Sequence, residues 1–103
     1  MKSGVDIIAE ERKRQLEVEG WKPEGDDQYV DNQLALAGAS YAIPEVDREY
    51  FGTTEDNVPV MFPFSSVWWK PSPENRIKEL AKAGALIAAE IDRLQRLGHG
   101  EDM

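Results

Sequence analysis

The sequence predicts a single all-α domain over residues 1–103, and three observations lead to that prediction. A length of 103 residues matches one domain of ordinary size. Apolar residues recur at intervals of three and four in three separate stretches, which is the spacing of amphipathic helices. They do not alternate over any stretch long enough to predict a strand with comparable strength. The three main helices are expected at about 4–19, 28–42 and 73–97.

The first predicted helix has recognisable start and stop signals. Ser3 is a preferred N-cap residue, and Asp6 places negative charge in the first turn, where it suits the helix dipole. Gly20 is a typical residue just past a helix end. The stretch from Glu10 to Gln15 contains no apolar residue. This helix is therefore expected to present a long polar face.

The second predicted helix follows a turn in which Asp26 or Asp27 is a suitable cap. Pro44 ends it. Its second half is rich in small residues, which allow another helix to approach closely: Ala35, Ala37, Gly38, Ala39, Ser40 and Ala42. Its apolar stripe is formed by Val30, Leu34, Ala37 and Tyr41.

The last predicted helix is capped by Ser72, takes Pro73 at its first position and stops at Gly98. Its own alanine- and glycine-rich steps match those of the second helix, so the two are expected to pack together. Residues spaced by three and four define the face that is expected to be buried. That face comprises Ile77, Leu80, Gly84, Ile87, Ile91 and Leu94.

A long aromatic- and proline-rich connection is predicted over 43–71. It contains four of the six prolines, which interrupt regular structure, and six of the nine aromatic residues. Because disordered linkers are poor in aromatic residues, this irregular connection is expected to pack on the helices. Its rings either fill the core or form one wall of a ligand pocket. Residues 98–103 are expected to fray.

The charge balance excludes some classes of partner. The chain has 12 basic and 20 acidic residues, a net charge of −8, and therefore lacks the basic stripe that nucleic-acid binding requires. A small phosphorylated ligand remains compatible, since a bound divalent cation can hold it. There is no cysteine, no signal-peptide pattern and no apolar run of membrane-spanning length. We therefore expect no membrane partner and a location in the cytoplasm.

Carboxylates are the main candidate chemical groups. Phosphate-binding glycine motifs are absent, and the one histidine, His99, lies in the tail. Clusters of carboxylate oxygens suit Mg²⁺. If such a site exists, Glu11 and Glu90 are the candidate catalytic residues. The predicted Mg²⁺ ligands are Glu11, Glu19, Asp27 and Glu90.

Glu90 and Arg12 each interrupt an apolar stripe of their helices. Neither charge is expected to be buried alone, because an unpaired buried charge is costly. We therefore predict that Arg12 and Glu90 form an ion pair. A metal ion is the alternative partner for Glu90.

Four further residues are candidate ligand contacts: Arg12, Gln15, Trp21 and Trp68. Gln15 lies in a polar row with Glu11 and Glu19 at intervals of four residues. Trp21 follows the end of the first helix. It either stacks on a nucleobase or fixes the turn to the core.

Four stretches carry a family resemblance: ER.RQ...EGW....DD from Glu11 to Asp27, the small-residue helix ending at Tyr41–Ala42, WWKP from Trp68 to Pro71, and AGALI.AEI.RL from Ala83 to Leu97. Together they resemble a family of small early-region domains of tailed phages and prophages, which also occur as the C-terminal domain of Ea22-like proteins. The resemblance implies a phage-derived protein and carries no settled activity.

A remoter similarity is to the all-α nucleotide pyrophosphohydrolases of the MazG type, which hold Mg²⁺ with a helix-borne EExxE motif and a later ExxD. Glu10 and Glu11 match the start of the first motif, but Arg14 stands at its third glutamate. Arg93 likewise stands where an aspartate would complete a motif beginning at Glu90. The GW…DD segment is also similar to the RyR repeat domain, which implies ligand binding without catalysis.

Two function hypotheses follow. In the first, the protein is a Mg²⁺-dependent nucleotide pyrophosphohydrolase, or a close relative, in which a metal-activated water attacks a phosphate chain. In the second, it is a non-catalytic module that binds a nucleotide-like ligand or a host protein. A homodimer is compatible with either hypothesis. Convergence of the four predicted metal ligands would favour the first.

Overall fold

The computed structural model describes residues 1–98 and shows an all-α protein, as predicted. No strand occurs within that range, where the β structure is one isolated bridge between Thr53 and Pro59. No helix in the described part of the chain is long and apolar enough to cross a membrane. The predicted tail lies mostly outside the described residues. The helices are α1 (Gly4–Glu17), α2 (Pro23–Asp26), α3 (Gln33–Ala42), α4 (Glu45–Phe51) and α5 (Arg76–Arg96), with a 3₁₀ turn at Ser66–Trp68.

The start of α1 follows the sequence signal, and its end comes earlier than expected. The Ser3 hydroxyl accepts a hydrogen bond from the Asp6 amide at 3.1 Å. The helix ends at Glu17. Gly20 adopts φ +72°, a left-handed conformation that turns the chain toward α2 and that glycine adopts without strain.

The starts of α3 and α5 are both later than the sequence predicted. Asn32 precedes α3 in a left-handed conformation with φ +66°, and this turn delays the helix to Gln33. Asn75 caps α5 by accepting a hydrogen bond from the Lys78 amide. Ser72 is predicted in that role, but it is buried and its amide donates to the Glu79 carboxylate instead.

The connection between α3 and α5 is partly helical, because α4 forms directly after Pro44. Phe62 is buried in the core, as are Val58 and the side chain of Tyr41. Trp68, by contrast, keeps 57% of its surface exposed, so this part of the connection does not pack closely on the helices as the sequence predicted.

Helix α5 is the central element, against which α3, α1 and α2 pack. The expected contact between the small residues of α3 and α5 is present at Gly38, where an added Cβ would lie 3.0 Å from the Ala83 carbonyl oxygen. Gly84 faces a different helix, since a Cβ there would lie 2.6 Å from Cδ1 of Ile8 in α1.

The buried face of α5 is not the apolar stripe that the spacing predicted. Ile77, Leu80, Ile87 and Ile91 are 44–64% exposed. Glu79, Glu90 and Arg93 are buried in their place, together with alanines and Leu86. The helix is thus rotated from the expected orientation, and several of its largest apolar side chains face solvent.

Glu79 explains part of this orientation. It is 1% exposed, and its carboxylate accepts hydrogen bonds from Arg48 at 3.0 Å, the Ser72 amide at 3.0 Å and Arg76 at 3.2 Å. Arg76 also donates to the carbonyl oxygens of Tyr41 and Ala42 at the end of α3. The network therefore supplies donors to carbonyls that a helix C-terminus leaves unpaired.

Candidate functional site

A cavity of about 260 Å³ opens between α1, α3 and α5. Buried side chains of Leu34, Ala37 and Leu86 form its inner wall. The turn after α1, the helix α2 and the segment 62–70 complete its rim. Small-molecule sites are usually concave and mostly apolar, with a few polar groups, and span roughly 300–1,000 Å³. This cavity is near the lower end and suits a ligand about the size of a nucleoside.

Most of the aromatic side chains near the cavity pack on one another. Tyr41 stacks on Trp69 with 4.5 Å between ring centroids. Phe64 makes edge-to-face contacts with Tyr29 and Phe62, at 5.1 and 5.8 Å between ring centroids. These geometries are the favourable ones for aromatic pairs, so the cluster forms a rigid wall.

Trp21 and Trp68 also line the cavity but are not part of that cluster. Trp21 is 37% exposed and Trp68 is 57% exposed. Neither ring packs against another aromatic ring in the described residues. The Lys70 ammonium lies 5.7 Å from the Trp68 ring centroid. The rim therefore has two indole surfaces available to a planar ligand.

Arg14 joins two of the three acidic residues of the cavity, Glu11 and Glu19, into one ionic group. Its Nε and Nη2 atoms donate to both carboxylate oxygens of Glu11 at 2.7 and 2.8 Å. Its Nη1 atom donates to Glu19 at 2.7 Å. This hydrogen bond lowers the pKa of Glu19, and the carboxylates raise the pKa of Arg14. The ionised form of Glu19 is therefore favoured beside Arg14.

Lys82 projects from α5 into the cavity and is partly buried. Its ammonium donates to the Lys70 carbonyl oxygen at 2.9 Å and lies 5.0 Å from the Tyr41 ring centroid. Burial lowers its pKa, and the nearby Glu11 carboxylate partly offsets that effect. The Lys82 ammonium is therefore partly removed from water. No carboxylate among residues 1–98 lies within ion-pair distance of it.

Beneath this group, Arg12 and Asp26 form a largely buried ion pair with 3.2 Å between Nη2 and Oδ2. Burial raises the pKa of Asp26, and the attraction of Arg12 lowers it only in part. Gln15 is fully buried between Arg12 and Glu11, and its amide is within long hydrogen-bond distance of both. It connects the buried pair to the cavity.

The structure brings together only some of the residues that the sequence singled out. Glu11, Gln15, Glu19, Trp21 and Trp68 all line the cavity. The remaining three candidates, Arg12, Asp27 and Glu90, are not among its lining residues.

Those three residues form other ion pairs. Asp27 binds Arg96 at 2.8 Å, and Glu90 binds Arg93 at 2.6 Å within α5. Arg12 binds Asp26. The predicted ion pair between Arg12 and Glu90 is therefore wrong, because each residue has a nearer partner.

Sequence reasoning missed the four basic residues of the cavity: Arg14, Lys22, Lys70 and Lys82. Arg14 attracts attention in the sequence only as a departure from a metal-binding motif, although its spacing of three from Glu11 is that of a helical ion pair. No local signal marks Lys70 or Lys82, which lie on separate elements and meet through the tertiary fold.

A second cavity, of about 360 Å³, lies beside α4. Its lining includes Arg48, three acidic residues and Trp69. Trp69 is already engaged by Tyr41 and by Arg48, whose guanidinium carbon lies 5.1 Å from the ring centroid. The first cavity, whose two rim tryptophans are not stacked on another aromatic ring in the described residues, is the better candidate.

Comparison with known proteins adds no relative: no family model, no curated protein and no solved structure matches the chain. Among residues 1–98, no three acidic or histidine side chains are grouped so that they could hold a metal ion.

Proposed function

We propose that this protein is a non-catalytic module that binds a nucleotide-like ligand in the cavity between α1, α3 and α5. The observation that carries the proposal is the pair of partly exposed tryptophans, Trp21 and Trp68, on the rim of an otherwise self-packed aromatic wall. Stacking of a base on an aromatic side chain contributes about 1–3 kcal/mol and tolerates any base.

The charges of the cavity support an anionic ligand. Its lining contains four basic residues and three acidic ones, whereas the whole chain has 12 basic and 20 acidic residues. The cavity thus reverses the charge balance of the protein. A negatively charged ligand is repelled by the net charge of the protein and attracted by the lining of this cavity.

The alternative of a Mg²⁺-dependent pyrophosphohydrolase remains a prediction. Its four carboxylates are each paired with an arginine: Glu11 and Glu19 with Arg14, Asp27 with Arg96, and Glu90 with Arg93. Metal binding would require these carboxylates to exchange arginine for the metal ion and to converge. The resemblances to phage early-region domains and to MazG-type enzymes, the host-protein partner and the cytoplasmic location also remain predictions.

Thermal unfolding in the presence of nucleosides and nucleotides tests the proposal. A ligand that binds only the folded state raises the midpoint temperature by mass action. Trp21→Leu and Trp68→Leu should each weaken binding by about 1–3 kcal/mol, because each removes a stacking surface. Tyr50→Leu is the matched control, since Tyr50 is an exposed aromatic residue outside the cavity lining.

Measuring pyrophosphate release on the same set of ligands separates the two functions. Binding in the presence of a chelator, with no release of pyrophosphate when Mg²⁺ is added, supports the binding module. Pyrophosphate release that requires Mg²⁺ would replace it with the enzyme hypothesis. If no member of the panel binds, or if both tryptophan variants bind as well as the parent, the proposal is wrong.

A further inference from the structure

We infer that the ligand of this cavity is a nucleoside monophosphate, whose single phosphate group is held directly by Lys82 and Lys70. This inference rests on the proposed function and specifies the number of phosphates and the residues that recognise them.

The charge balance of the site sets the number of phosphates. Arg14 is neutralised by Glu11 and Glu19, with one negative charge in excess, and Asp26 is neutralised by Arg12. Lys22, Lys70 and Lys82 then leave a surplus of two positive charges. A phosphate monoester carries about −1.5 to −2 charges at neutral pH, which matches that surplus. A longer phosphate chain would add negative charge close to Glu11 and Glu19.

The position of Lys82 identifies it as the anion contact. A lysine ammonium has three donors, and the described residues accept one hydrogen bond from this one, at the Lys70 carbonyl. Burial beside the Tyr41 ring removes water from the ammonium, and no carboxylate of the described residues lies within ion-pair distance to replace it. A phosphate oxygen placed there restores the missing charge and accepts the remaining donors, in the geometry of a charge-assisted hydrogen bond.

Lys70 links this contact to the stacking surface. Its carbonyl oxygen binds Lys82, while its own ammonium lies beside the ring of Trp68. A base stacked on Trp68 therefore has the Lys70 ammonium beside it, and Lys82 lines the same cavity. A ligand that stacks its base there brings its phosphate to the two lysines.

Calorimetry with three matched ligand sets tests the inference in the absence of divalent cations. The sets are the four common ribonucleosides, their 5′-monophosphates and their 5′-triphosphates. For at least one base, the monophosphate should bind about tenfold or more tightly than the nucleoside, and more tightly than the triphosphate. Inorganic phosphate alone should not displace the nucleotide, because it lacks the stacking base.

Lys82→Met provides the residue-level test, since methionine keeps an unbranched apolar stem without the charge. It should lower monophosphate affinity by about tenfold or more and leave nucleoside affinity unchanged. Lys78→Met is the matched control, because Lys78 lies one turn away on α5, is exposed and does not line the cavity. Circular dichroism establishes that each variant is folded. If Lys82→Met does not fold, the ranking of the ligands by the unaltered protein decides the question.

The negative outcomes are distinct from one another. If nucleosides bind as tightly as monophosphates, or if triphosphates bind most tightly, the inference is wrong and the binding proposal stands. The inference is equally wrong if Lys82→Met and Lys78→Met bind monophosphate with the same affinity. If no nucleoside or nucleotide binds, the proposed function itself is wrong and the inference is wrong with it.

Discussion

The two faces of α5 reverse the usual distribution of side chains on a helix. One face buries Glu79, Glu90 and Arg93, and the other exposes Ile77 and Ile91. Amphipathic helices normally bury the apolar face, because removing apolar surface from water is the main favourable contribution to folding. The reversal shows that two factors determine which face of α5 is buried. One is the removal of apolar surface from water, and the other is the neutralisation of buried charges.

The buried face meets two polar requirements. At its start, Glu79 neutralises Arg48 and anchors Arg76 beside the carbonyl oxygens that end α3. Near its end, Glu90 and Arg93 satisfy each other through two hydrogen bonds of 2.6 and 3.1 Å. Buried charges are tolerated when they are paired and hydrogen-bonded in this way. The alanines between them let α3 and α1 approach closely enough to enclose the pairs.

The exposed face has no such constraint within the described chain. A row of half-exposed isoleucine and leucine side chains leaves apolar surface open to solvent, and exposed apolar surface often marks contact surfaces. Three sets of substitutions test this difference between the two faces.

The largest effect is expected for Glu79→Ala. It leaves Arg48 buried without its carboxylate and removes the acceptor of the Ser72 amide, so the free energy of unfolding should fall by about 3–5 kcal/mol. Urea unfolding measures the change. Glu74→Ala, an exposed acidic residue just before the helix, should change stability by less than about 0.5 kcal/mol. Equal effects of the two substitutions would show that Glu79 is not the centre of a buried network.

An intermediate effect is expected at the two glycines where α5 meets its neighbours: Gly38, at the contact with α3, and Gly84, at the contact with α1. Gly38→Ala places a Cβ 3.0 Å from the Ala83 backbone oxygen, which cannot move freely, so overpacking should cost about 1–3 kcal/mol. Each alanine also gains about 0.5–1 kcal/mol of helix preference. Gly84→Ala places a Cβ 2.6 to 3.2 Å from Cδ1, Cγ1 and Cγ2 of Ile8, so this side chain must move as a whole. Ile8 is only half-buried and is not backbone, so the loss should be smaller than at Gly38. Thermal unfolding of both variants compares them, and a more severe loss at Gly84 would reverse the assignment.

The smallest effect is expected for Ile91→Gln and Ile77→Gln on the exposed face. Each should change the free energy of unfolding by less than about 0.5 kcal/mol, because solvent already reaches the side chain. Leu86→Ala, on the buried face, should cost about 2–5 kcal/mol in the same urea titration. A large loss at Ile91 that depends on protein concentration would show that another chain covers this face in solution.

Local signals in the sequence were enough for some parts of this protein. The all-α class follows from helical spacing, and the start of α1 follows from the side chain of Ser3. Gly20 marks the turn that follows α1. The small residues of α3 indicate that another helix packs against it. Each of these depends on residues a few positions apart, so a pattern of types and spacings is sufficient.

The sequence predicted only some of the residues of the candidate site. Glu11, Gln15 and Glu19 share a helix or its end, and the polar row that they form is visible in the sequence. Lys70 and Lys82 join them from two other elements, and no spacing along the chain places them there. The expected pairing of Arg12 with Glu90 was wrong for the same reason: Asp26 and Arg93 lie closer in space.

The sequence by itself determined that α5 is a helix with an apolar stripe, because a period of 3.6 residues is a local property. Only the tertiary structure decided which face is buried. A helix rotates about its axis at little cost until its neighbours are fixed, and here those neighbours are the end of α3, the arginine of α4 and Ile8 of α1. Their unpaired carbonyls and charges require the acidic face of α5 to turn inward, and the isoleucines consequently face solvent.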